Sequence, residues 1–126
     1  LLEANTGDIE PVKFASDASL GEKLYWYSPG DYDHTELITQ RGEILRKLAT
    51  VNWLFSYVFY EPGAPEGQEV AIMTDGEAPS ASSGGPSFNQ KKELTGIVFS
   101  ENPTTMTSIY GIRRFLAEYE AELIKR

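Results

Sequence analysis

Val51-Asn52-Trp53-Leu54-Phe55-Ser56-Tyr57-Val58-Phe59-Tyr60 is the stretch on which the fold turns. It is dense in β-branched and aromatic residues, which favour a pleated, packed surface over a helix. Read as extended chain, it places Trp53, Phe55, Tyr57 and Phe59 on one face and Leu54, Ser56, Val58 and Tyr60 on the other. Both faces are largely apolar, and this predicts a strand at the middle of a sheet.

Upstream, Asp33 with Glu36 three residues later has the spacing of a capping box, and Tyr32 with Leu37 that of a hydrophobic staple. Leu37, Ile38, Ile44, Leu45 and Leu48 then fall on one helical stripe, which predicts a helix over 34–50. Gly42 weakens the middle of that helix by about 1 kcal/mol relative to Ala. Further upstream, Leu24-Tyr25-Trp26-Tyr27 closed by Ser28-Pro29-Gly30 reads as a short strand. Residues 1–23 read as an irregular arm, with one short strand at Pro11–Ala15.

Downstream, the turn cluster 61–67 leads to a strand over Glu69–Thr74. Residues 78–90 are rich in Ser, Gly and Pro and read as a flexible loop. Leu94–Ser100 is the next strand. Asn102-Pro103 has the form of a helix cap followed by proline at the first helical position. Met106, Ile109, Ile112, Phe115, Leu116, Tyr119 and Leu123 continue from it at three- and four-residue spacing. The expected fold class is α+β. An antiparallel three-stranded meander, extended by one or two N-terminal strands, carries two amphipathic helices on one face in the order (β)β-α-β-β-β-α. The domain spans 24–126 behind the arm.

The chain has 126 residues, 40% of them hydrophobic, enough for one domain with a core of its own. It contains no cysteine, which excludes disulfides, zinc–thiolate sites and thiol catalysis. An opening residue of Leu1 rather than Met points to a trimmed chain. Lysine and arginine number 11 against 19 acids, a net charge of −8. That field disfavours nonspecific contact with phosphate backbones and suits a basic partner. No apolar run is long enough for a membrane-spanning helix.

No motif for catalysis stands out. Asp31-Tyr32-Asp33-His34-Thr35-Glu36 gathers groups able to ligate a divalent metal, but Asp33 and Glu36 are already accounted for as a cap. His34 is the only histidine, and no nucleophile motif accompanies it. Gly84-Gly85 lacks the Lys-Ser/Thr of a phosphate loop. Glu61, Glu66, Glu69, Asp75, Glu77 and Glu93 lie near strand ends, where solvated acids are ordinary.

The surplus of sheet aromatics is the most informative feature left. It favours a noncatalytic protein-interaction module: a subunit, adaptor or inhibitor that meets a protein partner or a second copy of itself through the sheet. Trp26, Trp53, Tyr57 and Phe88 are the expected contact residues, with no catalytic residue, metal or cofactor. A small enzyme or metal-binding protein centred on Asp31–Glu36 is the first alternative, and nucleic-acid binding or mimicry the second.

Overall fold

The computed structural model describes residues 5, 7–16, 18–29, 37–54, 57–62, 64–65, 67–77, 83–101 and 103–124. Seven strands and one helix form among them: β1 (Lys23–Pro29), β2 (Leu37–Leu54), β3 (Tyr57–Pro62), β4 (Ala71–Thr74), β5 (Pro86–Phe88), β6 (Leu94–Glu101), β7 (Thr104–Ser108) and α1 (Ile109–Ile124). Every strand pairing is antiparallel. The order β1-β5-β6-β7-β4-β2 returns to β1 through a β1–β2 pairing, so six strands close into a barrel. The expected α+β meander under two helices is therefore overturned.

The reason lies in β2. Residues expected to be helical over 34–50 are extended from Leu37, and this 18-residue strand serves three partners. Leu37–Glu43 pairs with β1, Ile44–Leu48 with β4, and Leu48–Leu54 with β3. A bulge between Ile44 and Arg46 adds one residue and shifts the pleat. Ile44 sits opposite Thr74 and Lys47 opposite Ile72, whereas Leu48 sits opposite Ala71 on the other face. The bulge thus produces an apolar spacing of Ile44, Leu45, Leu48 that imitates a helical stripe.

The stretch 51–60 is extended where described, but as the arms of a hairpin between β2 and β3. Among the described residues β3 pairs only with β2 and lies outside the closed ring, so it is not a central strand. The helix expected from Asn102-Pro103 begins later. Thr104–Ser108 is a strand, as its β-branched composition favours, and α1 starts at Ile109. Ser108 caps it: the Gly111 N–H donates to Ser108 Oγ at 3.1 Å, while that hydroxyl donates to the Glu69 carbonyl. Within the expected loop 78–90, Pro86–Phe88 forms β5 and closes the barrel against Tyr25 and Trp26.

Inside the barrel, Leu24, Trp26, Ile44, Ile72, Val98 and Met106 form one fully buried cluster, with Ala18 of the arm at its edge. Each of the large aliphatic side chains contributes about 1.5–3 kcal/mol by burial. Trp26 is the largest member, and two glycines make room for it. A Cβ on Gly42 would lie 2.9 Å from Trp26 Cη2, and one on Gly76 would overlap the same ring. The glycine that appeared to weaken a helix is instead half of the indole's niche.

Inward hydroxyls are paired. Thr74 Oγ1 donates to the Thr104 carbonyl at 2.9 Å and accepts from Gly76 N–H at 3.1 Å. Ser87 and Thr95 share a hydrogen bond of 2.8 Å. These pairings remove the cost of burying polar groups without partners.

The arm crosses one mouth of the barrel. Ala15 N–H donates to Leu94 O at 2.9 Å, and Leu94 N–H to Lys13 O at 2.8 Å, which makes a parallel bridge at Phe14. Seven residues on, Gly21 N–H donates to Ile44 O at 2.8 Å and Ile44 N–H to Glu22 O at 3.0 Å. The arm is thus tied to β6 at one end and β2 at the other. Arg113 of α1 lies 5.2 Å above the Phe14 ring and joins helix to arm. No helix described is long and apolar enough to cross a membrane.

Candidate functional site

Among the described residues, two concave surfaces bring together aromatic rings or a buried charge that could recognise another molecule. The first lies on the outer wall. Along β1, Leu24 and Trp26 point inward, so the pleat sends Tyr25 and Tyr27 outward. Phe88 is the register partner of Tyr25, and its ring meets Tyr27 edge to face, with centroids 6.1 Å apart and planes at 62°. A groove of about 460 Å3 runs beside these rings, bounded by Asn89, Gln90 and Lys92.

The β5–β6 turn fixes that rim. Asn89 Oδ1 accepts from Lys91 N–H at 2.9 Å and Glu93 N–H at 3.0 Å, and its amide donates to Glu93 Oε1 at 3.0 Å. Lys92 is held at φ 62°, a left-handed conformation uncommon for lysine. Asn89 is buried and held by these hydrogen bonds, while Gln90 and Lys92 are exposed and line the groove.

Of the residues expected to make contacts, Phe88 stands on this wall. Trp26 does not: its indole is fully buried in the barrel, and the same alternation that exposes its tyrosine neighbours turns it inward. Trp53 and Tyr57 stand on the two arms of the β2–β3 hairpin in adjacent register pairs at its turn end, Trp53 with Val58 and Tyr57 with Leu54; their side chains lie outside the described residues. The cluster Asp31–Glu36 lies wholly outside them. Among the described residues, no group of three or more His, Cys, Asp or Glu side chains is close enough to share a metal ion.

No protein-family model matches the chain, and no curated protein matches it in sequence.

The second surface is a cavity of about 360 Å3 at the barrel mouth, between the arm and the start of α1. Among the described residues its apolar lining includes Ala15, Ala18, Ile72 and Ile109, and its charged lining consists of Glu69 and Arg113. Glu69 is only 5% exposed, and its Oε2 has no hydrogen-bond partner among the described residues. A strand-flanking acid was expected to be solvated. Glu69 is instead drawn inward because Val70 N–H donates to Leu48 O, Ser108 N–H to Val70 O, and the Ser108 hydroxyl to the Glu69 carbonyl. These bonds lie between residues remote in sequence, so nothing near Glu69 in the chain signals its burial.

Proposed function

We propose that the chain is a noncatalytic protein-interaction module that recognises its partner through the outer wall of the barrel at β1 and β5. The observation that carries this reading is the groove formed by Tyr25, Tyr27 and Phe88, with Tyr27 46% exposed. Aromatic side chains supply large contact area at low conformational cost, and such rings carry interface energy disproportionately. Gln90 and Lys92 add a polar rim able to donate hydrogen bonds. The partner that fits is a segment presenting an apolar side chain beside a carboxylate or carbonyl.

A photo-crosslinking residue placed at Tyr27 in the producing cell tests this, with the same residue at exposed Leu45 as control. A discrete adduct from position 27, absent from position 45 and lost when Phe88→Ala is added, is the expected result. An adduct of twice the chain mass would make the partner a second copy. Equal labelling from both positions, or no adduct from position 27, would overturn the assignment of this wall.

A further inference from the structure

The cavity at the barrel mouth is chemically incomplete. Glu69 is nine-tenths buried and its Oε2 lacks a partner among the described residues. Burying a carboxylate without a hydrogen-bond partner is costly, and a donor held in the cavity that Glu69 lines would relieve that cost. Arg113 lines the same cavity from the first turns of α1, at the exposed side, and no ion pair joins it to Glu69 among the described residues. Two opposite charges therefore line one half-open space without an ion pair between them, Arg113 resting over the Phe14 ring.

That combination selects among ligand classes. A simple cation satisfies Glu69 but meets the guanidinium of Arg113. A simple anion pairs with Arg113 but meets the carboxylate of Glu69. A neutral apolar molecule leaves Glu69 as it is. A zwitterion answers both charges at once, and the wall of Ala15, Ala18, Ile72 and Ile109 offers its remainder an aliphatic surface. The volume, near the lower end for small-molecule sites, suits a ligand of that size and not a nucleotide.

We propose that this cavity binds a free aliphatic α-amino acid, with its ammonium on Glu69, its carboxylate on Arg113 and its side chain against Ala18 and Ile72. The site is separate from the outer wall and independent of what binds there.

Isothermal titration calorimetry with three probes of matched chain length tests this: norleucine, pentylamine, which lacks the carboxylate, and hexanoate, which lacks the amine. Norleucine is expected to bind saturably at millimolar concentration, pentylamine about tenfold more weakly, and hexanoate not at all. Glu69→Gln, nearly the same shape, should weaken norleucine by about tenfold or more. Arg113→Gln, on an exposed side chain, should bring norleucine to the level of pentylamine while leaving pentylamine no weaker. Circular dichroism checks the folding of each variant. If Glu69→Gln does not fold, the loss of norleucine's advantage in Arg113→Gln decides alone. Absence of norleucine binding to the unaltered chain, or binding that Arg113→Gln leaves intact, would overturn the proposal.

Discussion

Trp26 shows how much a single residue can organise. Its ring fills the barrel only because positions 42 and 76 lack side chains, so the three residues act as one unit. Gly76→Ala must displace the indole, which the new carbon would overlap, and it also brings that carbon to 3.0 Å from the Arg41 carbonyl. It should destabilise the fold by about 1–3 kcal/mol, as overpacked cores do. Trp26→Ala empties the niche and should cost about 3–5 kcal/mol, a large share of the stability of a domain this size. Urea denaturation of both variants checks the pair. Losses within measurement error for Gly76→Ala would mean that the niche is looser than its geometry. The buried Trp26 Nε1 has no hydrogen-bond partner among the described residues, so the indole stays for its volume and not for its polar atom.

Among the elements, α1 and β3 differ most from the barrel strands. No residue of α1 is buried, and Phe115, Leu123 and Ile124 are largely exposed. Leu123→Ser should therefore change stability by less than about 0.5 kcal/mol, whereas Ser108→Ala, which removes the cap and its bond to the Glu69 carbonyl, should cost about 1–2 kcal/mol. Thermal and urea melts of the two variants give the comparison. β3 pairs with one neighbour only, so the amides of Tyr57–Tyr60 should exchange about tenfold or more faster than those of Ile72 and Val98, as hydrogen-exchange NMR would show. Short strands were legible from composition: β1, β4 and β6 are brief β-branched or aromatic runs between turns. β2 was not, because its bulge breaks the alternation that marks a strand and leaves a helix-like spacing in its place. β7 was hidden behind Asn102-Pro103, which has the residues of a cap, while the residue that caps the helix is Ser108. Phe88 was legible as an aromatic contact, but Tyr25 and Tyr27 could be separated from Trp26 only once the inward face of β1 was known. Glu69 could not be found from sequence, since its burial depends on its segment meeting β2 at Leu48 and β7 at Ser108.

At the scale of the whole molecule, closure rests unevenly around the ring. The β1–β2 seam runs through seven register pairs, but among the described residues β1 and β5 share only Tyr25–Phe88 and Trp26–Ser87. A net charge of −8 adds self-repulsion to a shell with one thin seam. Raising ionic strength from roughly 0.01 M to 0.15 M shortens the screening distance from about 30 Å to about 8 Å and should raise Tm by a few degrees. A Tm that falls with salt would show that attractive charge pairs outweigh the repulsion. The arm bears on the same shell. It spans the mouth between Leu94 of β6 and Ile44 of β2, strands that two others separate around the ring. Just before the second tie, Ser19 and Leu20 stand out in the solvent, Leu20 at 65% exposure. A protease that cuts there would remove no barrel residue, yet it would sever a drawstring: both halves would keep their own knots while the purse they hold shut became free to gape.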